Sequence, residues 1–257
     1  MTHGCALSSG RRNVLLCGAT SAVGVALGRR LATRGWRLHL LARDVNRVKD
    51  VAADLHVRGA VVSYSCFDAA DIAGIPKAFA TAIAALGTPL DGVIVCHGTL
   101  LNEAKGPPSS VDIQRTIDVN FTSVAIILSL SAALLPPNSN SFLAAISSVA
   151  GDRGRQSNFC YGSAKAGLSA WLSGLRNRLH YSGIRVLTIK PGIIDSPMTD
   201  GLIDGPQILV ATPEMVAVDV ERAILNQQDV LYTPWFWRPI MLVICMLPEF
   251  LFKRMRL

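Results

Sequence analysis

A tyrosine and a lysine in this chain stand at a spacing that suits proton transfer. Tyr161 and Lys165 are four residues apart, and positions i and i+4 share one face of a helix, so both side chains can point into one cleft. A phenol with a pKa of about 10 is a poor acid–base group at neutral pH, but an adjacent ammonium favours its ionised form. Ser148 adds a hydroxyl thirteen residues before Tyr161. We therefore predict that Tyr161 exchanges a proton with a substrate oxygen.

A turn of small residues follows the first predicted strand. Such a turn lets backbone amides and a helix N-terminus approach a pyrophosphate. An ordinary tight turn has a similar composition, but the place at the first βα junction favours cofactor binding. The candidate cofactor residues of this turn are Gly18, Thr20, Ser21, Ala22, Val23 and Gly24.

The end of the second predicted strand indicates which dinucleotide binds. A site that prefers NAD places an acidic side chain there to hold the ribose hydroxyls, and Ala42 cannot do so. Arg43 can instead pair with a 2′-phosphate, which predicts NADP(H). The alternative is a solvated arginine beside Asp44, which would cap a helix. Asp68, just beyond the third strand, is placed either to accept from an adenine amino group or to cap its own loop.

The elements that must position these residues alternate along the chain. Strands are predicted at 13–17, 36–42, 60–65, 92–96, 141–147, 184–190 and 230–234, and helices at 21–35, 45–56, 72–86, 111–134, 158–181 and 213–226. Uniformly apolar strands separated by amphipathic helices predict a parallel sheet covered on both faces. With no linker or repeat, we expect an α/β fold in one domain, a doubly wound parallel sheet of the Rossmann type. Residues 1–228 would form its catalytic part and 229–257 an apolar and basic C-terminal extension.

Five motifs, in order and spacing, resemble those of the short-chain dehydrogenase/reductase family over about residues 12–226. They are Gly18-x3-Ala-x-Gly24, Asn120, Ser148, Tyr161-x3-Lys165 and Pro191-Gly192-Ile-Ile-Asp-Ser196. The resemblance implies that Tyr161 is the general acid in ketone reduction and that Ser148 hydrogen-bonds the substrate oxygen. It also implies that Lys165 perturbs Tyr161 and holds the nicotinamide ribose, and that Asn120 holds a water in a proton relay.

The same resemblance implies further cofactor contacts, and the chain departs from the family pattern in two places. The first is Ala22, which replaces the middle glycine of the loop and adds only a methyl group, so we expect cofactor binding to be retained. Ile194 would offer backbone groups to the nicotinamide carboxamide, and Ser196 stands where the family often has threonine. The remaining implied contacts are Gly98, Pro191 and Gly192. At 95–98 the chain reads Val-Cys-His-Gly where the family usually has Asn-Asn-Ala-Gly, which puts the usual bracing of the sheet in doubt. His97 is either a structural residue at a strand end or an extra acid–base group.

The segment between Ser148 and Tyr161 bears on the substrate. Arg153 and Arg155 could clamp a phosphate or carboxylate, or they could lie solvated in an exposed loop. Residues 147–168 and the C-terminal stretch are similar to one subgroup, the reductases of decaprenylphosphoryl-2-keto-pentose. This similarity implies a keto-sugar on a polyprenyl phosphate as substrate.

The C-terminal stretch combines aromatic, aliphatic and cationic residues. Trp235, Phe236 and Trp237 precede an apolar run that Pro239 and Pro248 interrupt. Such a segment suits the interface of an anionic membrane. The alternatives are a tail packed over the substrate pocket or against a partner subunit. The apolar stretch 111–134 has few polar positions, and its counterpart in the family lies in a dimer interface, so we expect a homodimer or homotetramer unless this helix is buried within the monomer.

Composition excludes several other classes. The chain of 257 residues is 50% hydrophobic and carries a net charge of +7, yet it has no module that reads nucleic acid. Its six cysteines are scattered, with no metal-ligand spacing. No stretch reaches the roughly 20 apolar residues of a spanning helix. We expect a cytoplasmic protein without a metal or a nucleic-acid partner, with contact at the cytoplasmic face of the membrane as an option.

These observations lead to three functional hypotheses. The first is an NADPH-dependent reductase of a ketone, best identified as a keto-sugar on a polyprenyl phosphate. The second is a reductase of another lipophilic ketone, such as a 3-oxoacyl chain or a steroid. The third is a non-catalytic NADP(H) sensor, which would have no need of the acid–base tyrosine.

Overall fold

A parallel sheet of seven strands lies at the centre of the structure, a computed structural model that describes residues 11–255 apart from 88, 102, 104, 105, 107 and 201–206. The strands are β1 (Asn13–Cys17), β2 (Arg37–Ala42), β3 (Val61–Cys66), β4 (Gly92–Val95), β5 (Phe142–Ile146), β6 (Arg185–Pro191), the short pair β7 (Ile193–Ile194) and β8 (Val210–Ala211), and β9 (Val230–Thr233). The sheet order is β3-β2-β1-β4-β5-β6-β9, and β7 pairs only with β8. The predicted doubly wound sheet is thereby confirmed.

Helices cover both faces of the sheet. They are α1 (Ala22–Thr33), α2 (Val45–Val57), α3 (Ile75–Leu86), α4 (Ser110–Ile117), α5 (Ser123–Ala132), α6 (Phe159–Leu179), α7 (Pro213–Leu225), α8 (Trp237–Met246) and α9 (Glu249–Phe252). Successive side chains of a strand point to opposite faces, so Val14 and Leu16 of β1 pack with α1, α2 and α7. Leu15 and Cys17 pack on the other face with α3, α5 and α6. The apolar alternation thus builds two cores, one on each side of the sheet.

The predicted single helix 111–134 is wrong in one respect, because a π-helical turn at Asp118–Thr122 separates α4 from α5. Within that turn the amide of Ser123 bonds the carbonyl of Asp118, five residues earlier. Such insertions frequently mark functional sites. Here the turn carries Asn120, whose side chain is fully buried. Hydrophobic periodicity does not reveal an inserted residue of this kind.

The C-terminal part of the chain completes the sheet and then covers its end. β9 pairs in parallel with β6, so the sheet extends past the predicted boundary at residue 228. After β9, α8 packs on the segment that follows β5 through Trp237, Met241 and Val149, and α9 contacts the same segment through Phe252 and Arg153. Among the residues described, no helix is long and apolar enough to cross a membrane.

Candidate active site

The serine, tyrosine and lysine of the predicted catalytic set converge where β5 ends and α6 begins. Ser148 follows β5 and is buried, and its side chain is hydrogen-bonded to that of Tyr161. The Nζ of Lys165 lies 5.7 Å from the centroid of the Tyr161 ring and donates to the carbonyl of Ile146 at 2.8 Å. Tyr161 and Lys165 both stand on α6, as the i, i+4 spacing predicts.

Burial is the main influence on the protonation states of Tyr161 and Lys165. It raises the pKa of Tyr161 to about 12, although the hydrogen bond from Ser148 and the charge of Arg155 act in the opposite direction. The phenol is therefore protonated at neutral pH, which is the form that donates a proton to a ketone oxygen. We predicted that Lys165 would favour the phenolate, but burial lowers the pKa of Lys165 itself to about 7. The cation that acts on Tyr161 is Arg155.

Asn120 joins this group from the π turn. Its Nδ2 donates to the carbonyls of Thr99 and Thr116, both at 2.9 Å, and its Oδ1 accepts from the amide of Thr99 at 3.1 Å. These bonds hold the loop after β4 against α4. A Cβ atom on Gly98 would lie 2.9 Å from Asn120 Oδ1 and 3.7 Å from Lys165 Nζ. Gly98 therefore lines the same space, and only a residue without a side chain fits there.

His97 connects the segment after β4 to the start of α5. Its Nε2 is hydrogen-bonded to Ser123 Oγ at 2.9 Å, and its ring lies 5.5 Å from that of Phe67. Burial, with a smaller effect from Lys165, lowers the pKa of His97 to about 3. The imidazole is therefore neutral at physiological pH, and the geometry supports the structural role over the acid–base one.

The turn between β1 and α1 has the geometry of a phosphate cradle. Gly18 has a φ of +76°, and a Cβ there would lie 2.4 Å from the backbone nitrogen of His97. A Cβ on Gly24 would lie 2.4 Å from the carbonyl oxygen of Gly18. Ser21 caps α1, since its hydroxyl accepts from the amide of Gly24 at 3.0 Å. Ala22 and Val23 are the first residues of α1, so a methyl at position 22 is tolerated. The tight backbone and the helix N-terminus suit a pyrophosphate.

The end of β2 presents cations beside this turn. Arg43 is exposed, and Arg47 donates from Nη2 to the carbonyl of Thr20 at 3.2 Å. Asp44 caps α2, because its Oδ1 accepts from the amides of Asn46 and Arg47 at 3.0 Å. The capping role of Asp44 does not exclude a phosphate contact of Arg43. Arg47 is a candidate that the sequence did not single out.

Asp68, predicted beside the adenine, lies exposed after β3. Its Oδ1 accepts from the amide of Ala70 at 3.0 Å. This is a local loop contact, as in the alternative that the sequence left open. The bond uses one carboxylate oxygen, and the adenine contact of Asp68 stays a prediction.

A second loop, after β6, lies against the C-terminal helix. Pro191 ends β6, Ile194 belongs to β7, and Ser196 donates its amide to Thr199 Oγ1 at 3.3 Å. A Cβ on Gly192 would lie 1.9 Å from Nε1 of Trp237. The indole therefore packs directly on the Pro-Gly turn, and its buried Nε1 has no hydrogen-bond partner within the described part of the chain. The sequence placed Trp237 only in an aromatic tail.

Arg153 binds the C-terminal segment and not the cleft. The prediction that it clamps a substrate phosphate is therefore wrong. Its Nη1 donates to the carbonyls of three residues, Ile244, Cys245 and Leu247, at 2.8, 3.1 and 2.6 Å. Its Nη2 pairs with Glu249 at 2.9 Å, and the guanidinium lies 4.0 Å from the ring centroid of Phe252. The end of α8 offers free carbonyls, and these attract the cation.

Arg155 remains the candidate for substrate binding. Its Nε is buried without a hydrogen-bond partner within the described ranges, and burial lowers the pKa of its guanidinium. The charges that act on it are those of Tyr161 and Asp152. A buried donor next to the catalytic phenol suits an anionic or oxygen-rich substrate.

Two further contributors were missed by the sequence predictions. Glu103 caps α6, since its carboxylate accepts from the amides of Cys160 at 3.1 Å and Tyr161 at 3.2 Å. Asp152 accepts from Lys190 Nζ at 2.5 Å and from the Tyr232 hydroxyl at 2.9 Å. These contacts join the segment after Ser148 to β6 and β9. Glu103 and Asp152 each contact residues far away in sequence, so no local sequence motif predicts their roles.

The sequence and fold have counterparts among known proteins. Residues 12–206 match the profile described as short chain dehydrogenase. An uncharacterized oxidoreductase of Mycobacterium tuberculosis is 34% identical over 248 residues, which cover 96% of this chain and 98% of the relative. A second one, from Streptomyces coelicolor, is 34% identical over 245 residues, with 95% and 96% covered. Serine 3-dehydrogenase of Agrobacterium fabrum is 31% identical over 189 residues, with 72% and 73% covered.

A solved structure resembles this fold. It is an alcohol dehydrogenase from the archaeon Thermococcus sibiricus complexed with 5-hydroxy-NADP, with a TM-score of 0.75 and 20% identity. The match covers 87% of this chain and 96% of that one. At this identity the similarity concerns the fold alone.

Proposed function

The chain belongs to the short chain dehydrogenase family of oxidoreductases, and on that premise we propose that it is an NADPH-dependent reductase of a ketone. The observation that carries the proposal is the convergence of Ser148, Tyr161 and Lys165, with Tyr161 and Lys165 on the same face of α6 and Lys165 Nζ 5.7 Å from the Tyr161 ring centroid. A binding protein without catalysis needs no such group.

The residues divide the work of reduction between them. A bound nicotinamide supplies the hydride. Ser148 donates a hydrogen bond to the ketone oxygen and orients it, and Tyr161 gives that oxygen its proton. Lys165, with a pKa of about 7, can return a proton to the phenolate at neutral pH. Asn120 keeps the loop after β4 in place beside Lys165, and a water held by Asn120 would complete the relay.

The choice of NADPH over NADH is part of the proposal. Two arginines, Arg43 and Arg47, flank the phosphate turn, and Ala42 ends β2 where an NAD site would carry an acid. We expect fluorescence titration to give at least tenfold tighter binding of NADPH than of NADH. Arg43→Ala should remove most of that difference, and Lys49→Ala on the following helix α2 is the matched control. Equal affinity of the wild type for both cofactors would refute the NADPH assignment.

The substrate we propose is a keto-sugar on a polyprenyl phosphate. Its support is the buried Nε of Arg155, which has no hydrogen-bond partner among the described residues and whose guanidinium charge acts on Tyr161, together with the subgroup similarity of residues 147–168. Arg155→Ala should raise KM at least tenfold for a phosphorylated ketone and change KM little for an uncharged one. An unchanged KM for both would remove the anion-binding role of Arg155.

A second candidate substrate is another lipophilic ketone, such as a 3-oxoacyl chain or a steroid. The specific observation in its favour is the apolar cluster of Val149, Trp237 and Met241, which begins at the residue after Ser148. A panel of keto-sugar, oxoacyl and steroid ketones in detergent, with NADPH oxidation as readout, separates the two. Faster turnover of the uncharged ketones would select this candidate.

The sensor hypothesis makes the opposite prediction for catalysis. Tyr161→Phe keeps the ring and removes the acid, so we expect the loss of general acid catalysis to lower turnover about 10²–10⁴-fold while NADPH affinity is kept. A wild-type protein that binds NADPH but reduces none of the ketones would favour the sensor.

We also propose a homodimer or homotetramer built through α5 and α6. Partly exposed apolar side chains on these helices and the π turn, Phe121, Ile126, Leu130, Trp171 and Leu175, lie over the core. Light scattering tests this assembly, since Trp171→Glu should shift the mass toward the monomer. A wild-type mass equal to one chain would refute it. A cytoplasmic location belongs to the same proposal.

A further inference from the structure

The C-terminal helices have an apolar face that points away from the rest of the protein. α8 buries Trp237 and Met241, and α9 buries Phe252. On the opposite side Leu242 is 63% exposed, Met246 74% and Trp235, just before α8, 77%. We call this the outer face; its exposed apolar residues are Trp235, Leu242, Val243, Met246, Phe250 and Leu251.

The spacing places the exposed apolar residues of α8 on one side of that helix. Positions 242, 243 and 246 fall on one side of a helix with 3.6 residues per turn, and 250 and 251 follow after a proline. In the ranges that the structure describes, these side chains are left open to solvent. Contiguous exposed apolar surface of this kind marks an interaction site.

Positive charges bracket the outer face at both ends. Arg238 is exposed at the start of α8, and Lys253 and Arg254 are exposed after α9. The acidic residue nearby, Glu249, is paired with Arg153. An apolar strip between cations matches the chemistry of an anionic bilayer, whose headgroups attract the cations while the acyl region accepts the apolar side chains.

We propose that the outer face docks on the surface of an anionic phospholipid bilayer, with α8 lying in the interface. α8 has ten residues, about 15 Å at 1.5 Å per residue, which is half of the roughly 30 Å hydrocarbon core. It therefore lies along the membrane and does not span it. Trp235, the exposed tryptophan just before α8, is of the residue type that favours the headgroup level.

Docking in this way brings the active site to the membrane. The inner side of α8 packs through Trp237 on Gly192 and through Met241 near Val149. One helix diameter of about 10 Å then separates the bilayer surface from the Pro-Gly turn. A ketone dissolved in the membrane could approach the site beside α8. The docking itself does not rest on the ketone assignment.

Vesicle sedimentation of the full chain tests the inference. The probes are vesicles of equal parts phosphatidylglycerol and phosphatidylcholine, and of phosphatidylcholine alone, at about 0.1 and 0.5 M NaCl, a range over which charge screening increases strongly. The first test variant is Leu242→Glu/Met246→Glu, which places negative charges within the apolar outer face. The second is Lys253→Glu/Arg254→Glu, which reverses the charges that follow α9 and changes no packed residue. Val57→Glu, at an exposed apolar position on α2, is the matched control.

We expect the wild type and the control to sediment with the anionic vesicles, and the higher salt concentration to weaken that binding. Both test variants should bind at least tenfold more weakly, with an unchanged rate on a water-soluble ketone. Three results would overturn docking: no sedimentation of the wild type, equal binding to neutral vesicles, or unaffected variants. If the protein instead forms a dimer that Leu242→Glu/Met246→Glu dissociates, and no vesicle binds, the outer face is an interface between two copies.

Discussion

Replacing Arg153 by glutamine tests whether this residue anchors the C-terminal segment. The guanidinium donates to three carbonyls at the end of α8 and pairs with Glu249. Glutamine has a shorter, uncharged side chain and cannot make this set of bonds. We expect Arg153→Gln to release α8 and α9 while the sheet stays folded.

The expected loss in docking free energy is about 3 kcal/mol. A hydrogen bond to a charged group contributes about 1.5–3 kcal/mol, and the two bonds to Ile244 and Leu247 are only partly shielded from water, so each takes the lower value. The bond to Cys245 is exposed and the Glu249 side chain is 77% exposed, so these contacts add little. At about 1.4 kcal/mol per factor of ten, the open population rises about a hundredfold.

Hydrogen exchange followed by mass spectrometry measures that population. Peptides from α8 and α9 should lose protection about a hundredfold in Arg153→Gln, while peptides from β1 and β4 serve as an internal reference. Arg155→Gln is the matched control, because the charges that act on Arg155 are those of Tyr161 and Asp152 and not those of the tail. If Arg153→Gln left exchange unchanged and instead raised KM for a phosphorylated ketone, Arg153 would be a phosphate clamp and its anchoring role would be refuted.

Three other substitutions have defined outcomes. Glu103→Ala removes the cap of α6 and should lower the free energy of unfolding in urea by about 1 kcal/mol. It should also lower kcat while the affinity for the cofactor is kept. An unchanged urea midpoint would contradict the capping role of Glu103. Because the pKa of Lys165 is about 7 in the folded chain and 10.5 when unfolded, stability without cofactor should rise as the pH increases from neutral toward about 9. That rise, by up to about 1.4 kcal/mol per pH unit, should be absent in Lys165→Met; parallel pH curves for the two proteins would contradict the lowered pKa. Gly192→Ala should displace Trp237 and quench or shift its fluorescence, whereas Gly154→Ala, where a Cβ meets open space, should not.

The features that the sequence predicted correctly depend on neighbours close in the chain. The strand at Asn13–Cys17, the helix that follows it and the spacing of Tyr161 and Lys165 each involve only a few consecutive residues. Local backbone geometry decides these features, so pattern and propensity suffice. The edge strand β9 was also predicted, although the sheet extends beyond the boundary drawn at residue 228.

The features that were missed depend on distant contacts. Glu103 reaches α6 across 57 positions of sequence, and Arg153 reaches the end of α8 across 91. A carboxylate in a loop or an arginine in a polar segment has no local signature of its partner. The same holds for electrostatics, because burial lowers the pKa of Lys165 and leaves Arg155 as the charge that acts on Tyr161.

The segment between Ser148 and Tyr161 joins the tail to the chemistry. Asp152 holds this segment to β6 and β9, and Arg153 turns outward to the end of α8. Two residues further, Arg155 turns inward and acts on Tyr161. We therefore expect a movement of α8 to affect the catalytic phenol through this short run of residues rather than through the bulk of the sheet. For this reason Arg153→Gln should also lower kcat on a water-soluble ketone, although Arg153 faces away from the cleft. Vesicles that hold α8 in place should restore part of the lost kcat. If Arg153→Gln kept the wild-type kcat while the amides of α8 exchanged freely with solvent, the tail and the active site would act independently.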